Sequence, residues 1–504
     1  MAPVESLTQR EGKATVSNLR IPSEVFDFFT YEGGHSLIVR GNAGTGKTTF
    51  ALQTIEDISA IERSFYLSTR VSGASLFAQF PWLREKIERG EASSRPLASD
   101  NAAGGEGHGR RRIGLSNLKG LGEASEGQEV MMSVSIGRDL GDLEAVYNTL
   151  EKNLPARSLI VFDSIDALAE KYGETCARLI LTVQNDIVEG YGANVLLVLE
   201  SADPQLDYLG DGALVLRSTD YQGRRIREME ISKLRGCEIR QPKYLFTLKD
   251  GKITSFGHDF KEEFLSPKAW SPVKDSSDRV SWGIKDLDRL LLGGLEKGSI
   301  VLIEMGYGVP AMISSAVECS LVANFAGLKR GVMWVPLRKA SAESARNHIL
   351  RMLPKDEFDR FVRIPEKATQ MGTTSERFVL PVEGTTALAD FSWQGLAFSL
   401  GDAGAPFLSL MGFDTMESIY GNHVMDQLTD HLLSVRRNNG VFVGITSPST
   451  SSAHRLADLA TTLVKIDRIG GTVILYGEKP FTECNALTFE EQEKGGGVSL
   501  TPIL

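Results

Sequence analysis

The sequence predicts an α/β protein built as two tandem copies of one unit, each a mostly parallel sheet with flanking helices, the second carrying a degenerate phosphate loop. Three observations predict it. From about Leu19 to Phe256, short β-rich runs (SLIVR, SFYLS, SLIVF, NVLLVL, ALVLR) alternate with helix-patterned segments. Near Phe260 to Val280, Pro, Ser and charge replace that periodicity, and then it restarts. The restart keeps the order: SLIVRGNAGTGKT corresponds to SIVLIEMGYGVPAM, SFYLSTR to VMWVPLR, SLIVFDSIDAL to FLSLMGFDTMES, and ANVLLVLESAD to GVFVGITSPST. Duplication accounts for the length of 504 residues.

The domains predicted are therefore 1–260, a linker at 261–280, and 281–504. Within the first, 88–129 is rich in Gly, Ser and Ala, carries Arg110, Arg111 and Arg112, and has few apolar residues to fold around. It reads as a flexible insertion. Hydrophobic residues are 42% and charged residues 24%, enough for a core in each half and far from the composition of a disordered chain. The 55 Lys+Arg against 65 Asp+Glu give a formal charge of -10, so no global field draws the chain to nucleic acid or anionic lipid. Cys176, Cys237, Cys319 and Cys484 lie far apart, which argues against a disulfide framework or a zinc site. MAPVESLTQREGK has no apolar core, and no run of about 18 apolar residues occurs, which predicts a cytoplasmic protein with no membrane partner.

The strongest motif is Gly41-Asn42-Ala43-Gly44-Thr45-Gly46-Lys47-Thr48, a complete G-x-x-x-x-G-K-(S/T) between a strand pattern and a helix pattern. Thr48 and Thr49 open the helix, whose apolar stripe is Phe50, Ala51, Leu52, Ile55 and Ile58. Glycines let backbone N–H groups turn in around phosphates, and the helix N-terminus adds partial positive charge toward the same anion. Lys47 is the expected partner of the β and γ phosphates, Thr48 of Mg²⁺, and Asp163, ending the strand Leu159 to Phe162, holds the metal through water. With no N-K-x-D motif to read guanine, ATP with Mg²⁺ is the expected ligand.

In the second half, Ala311 stands where that lysine would be, Met312 where the hydroxyl would be, and Pro310 brings no N–H. Asp414 survives at the end of FLSLMGF, but without those partners it is expected to cap the next element rather than hold a metal. Little or no nucleotide binding is expected there.

Gly283 to Glu304 (GIKDLDRLLLGGLEKGSIVLIE) resembles the G-x-x-x-L-D-x-L-L-x-G-G-L-x-x-G-S entry of KaiC and RecA-like ATPases, and Glu230 to Gly236 is similar to their K-M-R-G segment. Within that superfamily, LRIPSEVFDFF, RGNAGTGKTTFALQ, FYLSTRVSGASLFAQFPWL and KLRGCEIRQPKYLFTLKDGKI look like GvpD, the archaeal regulators of gas-vesicle genes. The resemblance implies a RecA-like core in each half and nucleotide-dependent repression through a GvpE-like transcription-activator partner. It also implies a homo-oligomer in which Lys233 and Arg235 reach a neighbour's γ-phosphate. A solvated strand edge is the other reading of these two charges.

The paired glutamates that KaiC-type enzymes carry after the second strand are replaced by Thr69 and Arg70, and an arginine cannot take a proton from water. Hydrolysis is therefore expected to be slow, or to depend on another group such as Glu200 after the strand Asn194 to Leu199. Arg110–Arg112, and Arg224 and Arg225 with Arg227, are two basic clusters suited to partner docking or simply solvated. No aromatics interleave with the first, which favours a protein over single-stranded nucleic acid. The competing functions are a recombination or repair ATPase and a KaiC-like signalling ATPase.

Overall fold

The computed structural model describes residues 19–59, 62–69, 73–83, 132–136, 141–201, 204–257, 270–276, 278–338, 340–367, 376–490 and 497–504. The segment 88–129 with Arg110, Arg111 and Arg112, and also Arg70, lie outside these residues. The chain divides into two compact units, one of Met1–Tyr221 with Ile226–Gly257 and Leu504, the other of Gln222–Arg225 with His258–Ile503.

In the first unit, helix α1 (Ser23–Thr30) leads into β1 (Ser36–Gly41) and α2 (Lys47–Ile58). Strands β2 (Arg63–Ser68), β3 (Met132–Ile136), β4 (Ser158–Asp163), β5 (Asn194–Leu199), β6 (Gly212–Tyr221), β7 (Arg224–Leu234), β8 (Lys243–Thr247) and β9 (Thr254–Phe256) complete it. The order across the sheet is β3-β2-β4-β5-β1-β6-β7-β8-β9. Pairings from β3 through β1 to β6 are parallel, whereas β7–β8 and β8–β9 are antiparallel. All five β-rich runs read from the sequence are strands.

Their continuous apolarity has a simple cause, since helices cover both faces and alternate residues fill two separate cores. Leu37, Val39, Leu159, Val161, Leu196 and Val198 pack on the α2 side. Ile38, Ile160, Phe162, Val195 and Leu197 fill the other. The α2 stripe of Phe50, Ala51, Leu52, Ile55 and Ile58 is fully buried. Each of the larger side chains contributes about 1.5–3 kcal/mol of burial, which anchors the helix whose N-terminus faces the phosphate loop.

The second unit repeats the plan. Its strands are β10 (Arg279–Val280), β11 (Leu295–Glu296), β12 (Ile300–Met305), β13 (Arg330–Val335), β14 (Val362–Lys367), β15 (Val379–Val382), β16 (Gly404–Gly412), β17 (Val441–Thr446), β18 (Thr462–Ile469), β19 (Thr472–Lys479), β20 (Asn485–Glu490) and β21 (Gly497–Pro502). Helix α3 (Ala311–Gly327) follows β12 as α2 follows β1. The sheet order is β15-β14-β13-β16-β17-β12-β18-β19-β20-β21, so β12 sits between β17 and β18 as β1 sits between β5 and β6. Each unit thus has a RecA-like α/β core, with an antiparallel extension beyond β6 in the first unit and beyond β18 in the second that the sequence pattern alone did not show.

Candidate nucleotide site

Strand β1 ends at Gly41, and the turn to α2 is a conformation only glycine permits. A Cβ on Gly41 would lie 2.3 Å from the carbonyl oxygen of Leu216, and Gly46 holds φ of 102° immediately before Lys47. Asn42, Ala43 and Gly44 face solvent, while Thr45, Lys47 and Thr49 are buried. The Thr45 hydroxyl donates to the carbonyl of Asn42 at 2.9 Å and braces the loop from inside. Arg227, grouped in sequence with a basic cluster, is buried and donates to the carbonyl of Gly44 at 3.1 Å.

Lys47 is only 6% exposed, and a buried ammonium must be partnered. Its Nζ donates to the carbonyls of Gly41 (2.8 Å) and Asn42 (3.0 Å) and lies 3.5 Å from Oε2 of Glu200. Glu200 follows β5 at the next position, and its own N–H donates to Asp166 at 2.7 Å. Thr48 and Asp163 meet as well, the hydroxyl donating to Oδ2 at 2.7 Å. The same oxygen accepts the hydroxyl of Tyr66 at 2.6 Å. Burial and the adjacent Asp163 push the Tyr66 phenol well above its ordinary range, so it remains a donor. Thr69 ties down the end of β4, donating from N and Oγ1 to the Asp163 carbonyl and accepting from the Ser164 N–H.

These residues fit a metal-bound nucleotide. A glycine loop with its crown open, a buried cation and a hydroxyl–carboxylate pair stand together at one helix N-terminus. Among the described residues no cluster of three or more His, Cys, Asp or Glu forms a metal cage of its own. The Thr48–Asp163 pair fits Mg²⁺, which takes one or two protein groups and completes its shell with phosphate and water.

The remaining predicted residues are placed apart from this constellation. Lys233 donates to the carbonyl of Gly210 at 2.6 Å. Arg235 is 68% exposed and pairs with Asp211 at 2.9 Å. Arg224 requires a correction: its side chain is buried and donates to the carbonyl of Gln222, so it is not offered to a partner, whereas Arg225 is exposed.

In the second unit the sheet register corrects the sequence reading of Asp414. Val39 lies beside Val198, which lies beside Asp163. The matching row is Ile303, Ile445 and Gly412. Gly412, not Asp414, therefore occupies the carboxylate position. A Cβ there would lie 2.1 Å from Cα of Leu337, so no carboxylate fits. Asp414 instead accepts the hydroxyls of Ser447 (2.9 Å) and Thr450 (2.6 Å) and fastens the turn after β17. A cavity of about 650 Å³ remains, lined by the 305–310 loop, Arg338, Asp414 and Ser447. At the three positions that match Lys47, Thr48 and Asp163 stand Ala311, Met312 and Gly412. Gly412→Ala is expected to cost about 1–3 kcal/mol through overpacking, read by urea denaturation of the intact chain. An unchanged midpoint would contradict that contact.

Fold and site together define a P-loop nucleotide-binding protein of the RecA-like class, with one intact and one degenerate copy. Comparison with known families makes this specific. Residues 25–232 match the model described as GvpD gas vesicle protein, P-loop domain, and residues 269–378 match GvpD basic region 2. The chain belongs to the GvpD family. GvpD2 of Halobacterium salinarum is 26% identical over 100% of this chain and 99% of its own length, and GvpD1 of the same organism is 23% identical over 96% of each. The circadian clock oscillator protein KaiC of Synechococcus elongatus is 26% identical over 60% of this chain and 55% of its own. A solved structure of a KaiC-like protein from Pyrococcus horikoshii aligns with TM-score 0.32 and 19% identity over 44% of this chain and 90% of that one.

Two features escaped sequence reasoning. The family's second basic region spans 269–378, where basic residues are dispersed between apolar ones and form no run. Tyr66 sits inside an ordinary strand pattern, and its acceptor is 97 residues away.

Proposed function

We propose that this chain is an ATP-binding negative regulator of gas-vesicle gene expression, working in the cytoplasm through a transcription-activator partner of the GvpE-like kind. The observation that carries the nucleotide part is the convergence of Lys47, Thr48 and Asp163 behind the glycine loop, set against the loss of all three counterparts in the second unit. The gas-vesicle part rests on family membership. Among the described residues no helix is long and apolar enough to cross a membrane.

In this reading Gly41 to Thr49 cradle the phosphates, Lys47 leaves its loop carbonyls for them, and Thr48 with Asp163 holds Mg²⁺ through hydroxyl and water. The metal, when bound, neutralises phosphate charge. Glu200, already beside Lys47, is the candidate acceptor of a water proton in place of the missing glutamates. Arg235, and less freely Lys233, are the charges with which one subunit of a homo-oligomer would address its neighbour. Arg225 and Arg110–Arg112 are left as partner-docking candidates. Such a switch works only if ATP and ADP favour different states.

Two experiments test this. A gas-vesicle promoter driving a reporter, with its activator present, is expected to fall when the wild-type chain is added and to stay high with Lys47→Ala. Equal output from both sinks the regulatory reading. Glu200→Gln is expected to slow single-turnover ATP hydrolysis by about 100-fold or more while ATP affinity stays within a few-fold. Turnover strongly raised by single-stranded DNA would favour the recombination ATPase instead.

A further inference from the structure

The Asp163 carboxylate receives more support than a metal-holding carboxylate needs from the phosphate loop alone. Thr48 Oγ1 and the Tyr66 hydroxyl converge on the single oxygen Oδ2, at 2.7 and 2.6 Å. A carboxylate oxygen has two lone pairs in its plane, so these two donors fill Oδ2. The other oxygen, Oδ1, has no donor among the described residues. Tyr66 itself is 1% exposed, with its ring in the same core as Phe50, Ile55 and Val161. Packing therefore locks its rotamer, and the hydroxyl is delivered to one point. A short hydrogen bond to an ionised acceptor in a water-poor setting is among the stronger ones available to a protein.

The second unit supplies an internal comparison. The row Leu37, Leu196, Val161, Tyr66 corresponds to Val301, Val443, Leu410, Trp334. Trp334 is also a buried aromatic donor, but its Nε1 donates to Glu318 on α3 at 2.8 Å. Where the end of the neighbouring strand has become Gly412, the aromatic at this position serves another carboxylate. The hydroxyl aimed at Asp163 belongs to the copy whose metal-side residues are intact.

We propose that Tyr66 is a positioning residue for Mg²⁺: its hydroxyl, together with Thr48, saturates one oxygen of Asp163 and fixes the carboxylate so that the other oxygen is presented to the metal's water. This rests on the reading of the site as a Mg·ATP site. Without the hydroxyl, one donor remains, and the carboxylate regains rotational freedom that metal binding must then remove. Losing an outer-shell partner of this kind typically weakens a metal by about 10- to 100-fold.

The test is calorimetric and does not depend on turnover. ATP affinity of the full-length protein is measured across a Mg²⁺ titration and in excess EDTA, for wild type, Tyr66→Phe, Asp163→Asn and the double variant. The expected result is a Mg²⁺ half-point about 10- to 100-fold higher in Tyr66→Phe, with affinity in EDTA unchanged within twofold. The Asp163→Asn background should absorb the effect, so that adding Tyr66→Phe there shifts nothing further. Replacing Tyr66 by 3-fluorotyrosine, which keeps ring and hydroxyl, should retain the wild-type half-point, and this holds the test open if the phenylalanine variant folds poorly. An unchanged half-point in Tyr66→Phe overturns the proposal. So does an equal loss of affinity with and without Mg²⁺, which is the signature of a packing defect. A wild-type protein that binds no nucleotide at any Mg²⁺ concentration overturns the site reading, and this assignment with it.

Discussion

ATP titrated into the Lys47→Ala protein is expected to bind at least about 30-fold more weakly than to wild type, with no second site taking over. Three features set the size of the effect. Lys47 is the buried cation of the loop, and removing a buried charge partner costs about 2–5 kcal/mol, or roughly 30- to 4000-fold in affinity. Its ammonium is held at the loop by the carbonyls of Gly41 and Asn42 and beside Glu200, and exchanges those carbonyls for phosphate oxygens when nucleotide arrives. Finally, the second unit has Ala311, Met312 and Gly412 at the three decisive positions and cannot compensate. Calorimetry should give one site per chain for wild type and none for the variant. A residual stoichiometric site in Lys47→Ala would place nucleotide in the second unit and overturn its assignment as degenerate.

The second large effect concerns stability and pH. Glu318 lies on α3 with its carboxyl fully buried, accepting Trp334 Nε1 at 2.8 Å and the N–H of Leu337 at 3.2 Å. Burial outweighs those two donors and pushes the group up to about 7 from its ordinary 4.5. The native chain therefore binds a proton more tightly than the unfolded chain. This contribution is fully present below pH 4.5, declines as pH rises through the window to 7, and is absent above it. Its full size is about 3 kcal/mol, from 1.36 kcal/mol per pKa unit. Glu318→Gln keeps an oxygen for both donors and has no proton to lose. Its urea stability relative to wild type should rise steadily between pH 5 and pH 8, by up to about 3 kcal/mol. A difference that stays constant with pH would show that Glu318 does not titrate in this window.

The first half of the site was legible because its chemistry is contiguous. Eight consecutive residues, Gly41 to Thr48, carry the loop, and a strand and a helix must flank them for the backbone to turn. Asp163 was legible too, as the polar residue closing an apolar strand. Glu200 was reachable by the same logic, one residue beyond β5, and the structure sets it 3.5 Å from Lys47. What failed was counting along the second half. Asp414 attracted attention because it is an aspartate near a strand end, yet registry across three strands gives its supposed place to Gly412, two residues earlier. Letters cannot reveal such an offset, because it is set by backbone pairing. Tyr66 and Arg227 were hidden differently. Tyr66 belongs to a strand pattern that explains it without function and Arg227 to a basic cluster, and only the fold shows that one reaches Asp163 and the other the loop carbonyl of Gly44. Arg224 shows the converse: a basic run on paper, but a buried side chain in space.

The tight contact at Gly412 also bears on ancestry. If both halves descend from one competent ancestor, the second did not merely lose side chains. Leu337 backbone now occupies the space that a carboxylate-bearing Cβ would need. Restoring lysine at 311 and threonine at 312 would leave that strand end closed, and restoring aspartate at 412 first would damage the fold before it helped. The division of labour between the halves is a ratchet, and selection can vary what the second half presents to others without that half drifting back toward nucleotide.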